Sequence, residues 1–110
     1  MKKDSLFFIQ HILENIQDIE IFMDGVARAE FFGDKEKQNA VIRSLEIIGE
    51  AVKMLPSTLT ERYPGIPWKE IAGTRDKIIH QYFSVDLDII WDIAKGDLPK
   101  LKKQIEKIKA

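Results

Sequence analysis

Residues 6–26, LFFIQHILENIQDIEIFMDGV, carry the pattern that decides the fold. Leu6, Ile9, Ile12, Leu13, Ile16, Ile19, Met23 and Val26 recur at steps of three and four, which puts them on one side of an α-helix. Asp4 or Ser5 is placed to cap its start, Gly33 is the expected stop, and Asp34 is the expected cap of the next element. That second segment repeats the pattern with Val41, Leu45, Ile48, Val52 and Leu55 and ends before Pro56. Each segment runs about 20 residues, or roughly 30 Å at helical rise.

The rest of the chain reads as shorter helices. Thr58-Leu59-Thr60-Glu61 has the form of a capping box on a short helix. Tyr63-Pro64-Gly65-Ile66-Pro67 is a loop, and Pro67 suits the first turn of a third main helix running to about Tyr82, with Gly73 as its weak point. Ser84 or Asp86 can cap a fourth helix carrying Leu87, Ile90, Trp91 and Ala94, with Gly96 as its end. Asp97 then caps a last helix carrying Leu98, Leu101, Ile105 and Ile108, with Pro99 tolerated in its first turn. No strand signal, repeat or low-complexity tract is visible. The expected architecture is all-α, an antiparallel helical bundle with short connections.

Composition bounds the function. At 110 residues one domain is expected, over the whole of 1–110. Hydrophobic residues at 45% suffice for a packed core, and 32% charged residues keep it soluble. A net charge of −1 supplies no global field for nucleic acid, so any RNA contact must use a local patch. Absence of cysteine excludes disulfides and thiolate chemistry and fits a cytoplasmic setting. Apolar runs such as Leu6-Phe7-Phe8-Ile9 are too short to span a membrane, and Gln10, His11, Glu14 and Asn15 interrupt the N-terminal stretch too early for a signal peptide. The two histidines lie far apart with no carboxylate spacing around them, so no metal site is expected, and no glycine-rich phosphate loop is present. Lys95, Lys100, Lys102, Lys103, Lys107 and Lys109 crowd the C-terminal helix and read as a solvated face before they read as an RNA patch. Phe7, Phe8, Phe22, Phe31 and Phe32 exceed what one face of the first helix can bury, which reserves some of them for an interface.

Chemistry concentrates in Arg75-Asp76-Lys77-Ile78-Ile79-His80-Gln81-Tyr82. An arginine always carries charge and a histidine titrates near neutrality, which together suffice to cleave RNA without a metal. On a continuous third helix Trp68, Ile71, Ala72, Arg75, Ile79 and Tyr82 share one side, which places Arg75 on an apolar face. A charge there needs a carboxylate partner, an edge to reach, or a polar cleft, and Glu46 and Glu50 are the available partners. His80 falls about 140° further round, so the two flank a groove rather than share a face. Asp76, one turn before His80, can orient its imidazole or serve as a surface pair. Tyr82 reads from position as a half-buried tyrosine, His80 as a partner of the helix dipole, and His11 as a surface residue.

Arg75, four intervening residues, His80, Gln81 and Tyr82 match the Arg-x4-His-x-Tyr signature, and in this the chain resembles the HepT-like toxins of the HEPN superfamily. The likeness extends to Arg43-Ser44-Leu45-Glu46-Ile47-Ile48-Gly49-Glu50-Ala51, to Ile66-Pro67-Trp68-Lys69-Glu70-Ile71-Ala72-Gly73 and to Asp88-Ile89-Ile90-Trp91, and so covers nearly the whole chain. The resemblance implies an up-and-down bundle of four main helices with short ones between, and a homodimer whose signatures face each other across a cleft. It implies a metal-independent RNA endonuclease, without cofactor, acting as the toxin of a toxin–antitoxin pair. Arg75 and His80 would be catalytic and Asp76 supporting. Tyr82 would accept an AMP group from a minimal nucleotidyltransferase antitoxin. The alternative is a non-catalytic nucleotide- or substrate-binding subunit of such a nucleotidyltransferase.

Overall fold

The computed structural model describes residues 3–80 and 84–108, His80 by its backbone only. Two long helices form its frame, α1 over Lys3–Met23 and α3 over Lys35–Lys53. Ile9, Ile12, Ile16, Ile19 and Met23 of α1 bury against Val41, Leu45, Ile48 and Val52 of α3, most of the stripes expected from the periodicity; Leu6, expected among them, is exposed, and Leu13 is only partly buried. The helices run antiparallel: Lys37 Nζ near the start of α3 donates to the Phe22 carbonyl near the end of α1, at 2.9 Å. Asp34 caps α3 as expected, its carboxylate accepting the Lys37 amide at 3.0 Å.

The turn between them departs from expectation. α1 stops at Met23, ten residues before Gly33, because Gly25 takes a left-handed conformation with φ +69° that other side chains resist. Gly33 instead ends a separate short helix, α2 over Arg28–Phe32. That helix buries Phe31 completely, beside Trp91 at 5.9 Å between ring centres, while Phe32 and Phe7 stay exposed and Phe8 and Phe22 are partly covered. Ser5 is buried in the first turn of α1.

After Leu55 the chain folds into α4, Ser57–Thr60. No capping box forms at Thr58, because the turn opens two residues earlier with Pro56 as its extended entry, whose carbonyl accepts from Leu59 and Thr60. The indole of Trp68 ties this corner down by donating to the Thr60 and Tyr63 carbonyls at 3.2 and 3.1 Å.

The third main helix is not continuous. α5 covers Trp68–Ala72, Gly73 breaks the register, and α6 covers Thr74–Ile78. The Thr74 hydroxyl donates back to the Ile71 carbonyl at 2.8 Å, a local bond that competes with helix propagation. Ile79–His80 is then extended as β1 and pairs antiparallel with β2, Ser84–Val85, in a two-residue ladder that sequence periodicity had not suggested. The Asp86 amide closes the hairpin on the Ile78 carbonyl at 2.7 Å. So short a hairpin leaves the all-α class intact.

Asp86 caps α7, Leu87–Asp92, through the Ile89 amide at 3.1 Å. Gly96 does not end this helix and Asp97 does not cap the next. A π-helical turn over Ile93–Asp97 joins α7 to α8, Leu98–Glu106. The physical reason is Pro99: its ring would collide with the carbonyl four residues back, and a wider turn relieves that without breaking the helix. The Leu98 amide accordingly bonds the Ile93 carbonyl, five residues back. α8 lies against α1, held by Lys102 to Glu20 at 2.8 Å, and the π-turn is tied to the end of α1 by Lys95 donating to the Met23 carbonyl at 2.7 Å. The hydrogen bond to Glu20, first, and the attraction of its charge hold the Lys102 ammonium above the usual lysine range. No described helix is long and apolar enough to cross a membrane.

Candidate functional site

Breaking the third helix at Gly73 rotates the segment beyond it. Thr74 and Ile78 take the inward positions, and Arg75 is exposed, with 67% of its side chain open to solvent. The apolar-face position expected for Arg75 on a continuous helix is therefore not the one it occupies. Its charge is met by Glu46 of α3, with Nε 3.5 Å from Oε2, as one of the two carboxylates available from the sequence. Glu50, the other, pairs with Lys53 at 3.2 Å.

A glycine sets this encounter. Gly49 stands one turn beyond Glu46 on α3, under the end of α5. A Cβ there would lie 3.2 Å from the Ile71 carbonyl oxygen and 3.5 Å from that of Ala72. A residue without a side chain lets α5 come so near without displacement, and that approach delivers α6, with Arg75 in its first turn, beside Glu46. The sequence shows Gly49 but gives no sign of what it meets, because the contact is between backbones far apart in the chain.

Asp76 is exposed, with its amide on the Gly73 carbonyl at 3.1 Å. The one-turn relation to His80 expected on a continuous helix is not made, because α6 ends at Ile78 and His80 belongs to β1, paired with Ser84. Tyr82 lies outside the described residues, as does Gln81. Among the described residues no cluster of three or more His, Cys, Asp or Glu side chains could hold a metal ion.

Glu46 also faces a second feature. Between the first half of α1 and the second half of α3 runs a groove of about 360 Å³, lined by Phe8, His11, Arg43, Glu46, Ile47, Glu50, Ala51 and Met54. His11, read from the sequence as a surface residue, is 41% exposed by side chain and forms part of this wall. Its ring lies nearly parallel to that of Phe7, with centres 5.8 Å apart and planes 12° from each other. The spacing of Phe7 and His11, one helical turn apart, was the only trace of this in the sequence.

The arrangement is thus an all-α bundle that presents, where a broken helix gives way to a hairpin, a guanidinium anchored by one carboxylate and open to an anionic ligand. An arginine so held offers phosphate oxygens a planar, permanently charged fork. The chain belongs to the Ribonuclease HepT-like family, whose model matches residues 12–108. It is 50% identical to a protein of Methanocaldococcus jannaschii named as a candidate RNase, over 97% of this chain and 88% of the relative. It is 44% identical to a protein of Thermococcus cleftensis named Probable ribonuclease HepT, over 99% of both chains. It is likewise 44% identical to a candidate RNase of Caldanaerobacter subterraneus, over 92% of this chain and 90% of the relative. No solved structure matches the chain.

Proposed function

We propose that this chain is a metal-independent RNA endonuclease, a single domain over residues 1–110, acting as a homodimer. The observation that carries the reading is Arg75. The first residue of the Arg-x4-His signature stands exposed and ion-paired just beyond the break in a helix, in a chain of the Ribonuclease HepT-like family. RNA brings its own nucleophile. A base takes the proton of the 2′-hydroxyl, the 2′-oxygen bonds to phosphorus, the bond to the 5′-oxygen breaks, and an acid returns a proton to that oxygen. In a dimer the two copies of His80 supply base and acid. Arg75 holds the non-bridging oxygens as negative charge grows on them. Asp76 supports the site through its charge.

Regulation draws on the same segment. The chain is the toxin of a toxin–antitoxin pair in the cytoplasm, and a minimal nucleotidyltransferase partner neutralises it by transferring AMP to Tyr82. The added phosphate charge, two residues from His80, repels RNA from the cleft.

The test is cleavage of RNA in EDTA by the purified chain, by Arg75→Ala and by His80→Ala. The unmodified chain is expected to cut, with each variant at least about a hundredfold slower. Equal cutting by all three would reject the assignment. Binding of nucleotide without any cutting would point instead to a non-catalytic subunit of the nucleotidyltransferase. Full neutralisation of Tyr82→Phe by the partner would remove AMP transfer to Tyr82 from the scheme.

A further inference from the structure

The groove between α1 and α3 shares Glu46 with Arg75, and so adjoins the point where a phosphate would be held. Its walls are of two kinds. On the α1 side stand Phe8 and His11, the His11 ring parallel to that of Phe7 at 5.8 Å between centres and its Nδ1 3.9 Å from the exposed Glu14 carboxylate. On the α3 side stand Arg43, Glu46 and Glu50. Both carboxylates already have cations, Arg75 for Glu46 and Lys53 for Glu50, so neither sets an unbalanced negative charge against a passing backbone. A volume of about 360 Å³ accommodates one flat heterocycle, within the usual range of small-ligand pockets.

We infer that this groove is a nucleobase subsite: a base next to the phosphate at Arg75 extends the Phe7–His11 stack and presents its exocyclic amino group to the carboxylates of Glu46 and Glu50. Unpaired bases are read on aromatic faces and along their edges. A carboxylate accepts from an amino donor, as glutamate does from the N4 amino group of cytosine. The groove therefore takes adenine, cytosine or guanine in preference to uracil, which has no amino group. This deepens the ribonuclease reading and rests on it for the class of substrate. His11 is here a stacking residue and moves no proton.

The test uses the full chain carrying His80→Ala, so that RNA is not cut, and short fluorescent uridine tracts with or without one central adenosine, cytidine or guanosine. Tracts with an amino-bearing base are expected to bind at least about threefold tighter than uridine alone. Adding His11→Ala should weaken them about tenfold and erase the preference, in keeping with the loss of one stacked base. His11→Tyr should restore binding, because it keeps a ring and loses the imidazole. Glu50→Gln should flatten the preference, read as the ratio of affinities for the amino-bearing and the plain uridine tracts, since freeing Lys53 tightens every tract alike. Equal binding of all tracts, or indifference to His11→Ala, overturns the subsite. So does a change in sedimentation of His11→Ala, which would make the groove a contact between copies of the chain. Cleavage by the chain with His80 intact is read separately. Cutting without base-dependent binding sinks the subsite alone, whereas base-dependent binding without cutting sinks the ribonuclease reading and leaves the groove.

Discussion

At the scale of the residue, the ion pair between Arg75 and Glu46 is a matter of position more than of stability. Arg75 is two-thirds exposed, and an exposed pair contributes on the order of 1 kcal/mol or less. Glu46→Gln should therefore leave the urea midpoint nearly where it was. RNA cleavage should nevertheless fall, by about tenfold, because a guanidinium with no carboxylate beside it samples more rotamers and holds phosphate less often. A large loss of stability in Glu46→Gln would make the pair a structural strut and detach it from the chemistry. Recognition of Arg75 itself needed only spacing and residue type. Its exposure needed the structure, because a continuous helix through Gly73 would have turned the same side chain toward the core.

At the scale of the element, two glycines in helices have opposite tasks. Gly49 is close-packed under α5, and Gly49→Ala must push the Ile71 carbonyl by a few tenths of an ångström. The expected cost is about 1–3 kcal/mol, as for other overpacked contacts. Cleavage should drop with it, because the same displacement carries α6 away from Glu46. Wild-type urea stability in Gly49→Ala would show that α5 yields freely and that the approach positions nothing. Gly96 lies in the exposed π-turn with open space around its missing Cβ and no positive φ. Gly96→Ala should therefore raise stability, by about 0.5–1 kcal/mol, through lost freedom of the unfolded chain. Were Gly96 a helix stop in the left-handed conformation, as its place in the sequence suggests, the same substitution would destabilise, so thermal melting decides between the two. Caps were legible at this scale wherever one side chain meets a backbone amide three residues on, as at Asp34 and Asp86. The capping box at Thr58 failed because Pro56 starts the turn first.

At the scale of the whole molecule, α2 closes the bundle although it has only five residues. It places Phe31 fully inside, against Trp91, and Arg28 forms an ion pair with Asp88 of α7 across 60 positions of sequence. The last third of the chain is thereby fastened to the corner between the two long helices. Phe31→Ala should cost about 3–5 kcal/mol, a large share of the stability of a domain this size. Unfolding should stay a single transition, since the cavity opens into the one core that α1, α3, α7 and α8 share. If far-ultraviolet and near-ultraviolet circular dichroism gave separate midpoints in the parent chain, α7 and α8 would be an independent unit and α2 would not be its fastening.

What the sequence determined by itself is the local and periodic part: the two long amphipathic helices, their inward stripes, the caps at Asp34 and Asp86, the all-α class, and the signature from Arg75 to Tyr82. These come from side-chain spacing along one helix, which a linear chain records in full. The tertiary structure decided where that spacing is interrupted and what is brought across it. Gly73 was visible as a weak point, yet only packing against α3 fixed the break there and turned Arg75 outward. Pro99 was visible as tolerable, yet the continuous helix around it chose a π-turn over a stop. The meeting of Gly49 with α5, of Glu46 with Arg75, and of His11 with the groove beside them are encounters between distant segments, and spacing along a chain does not encode the distance between its parts.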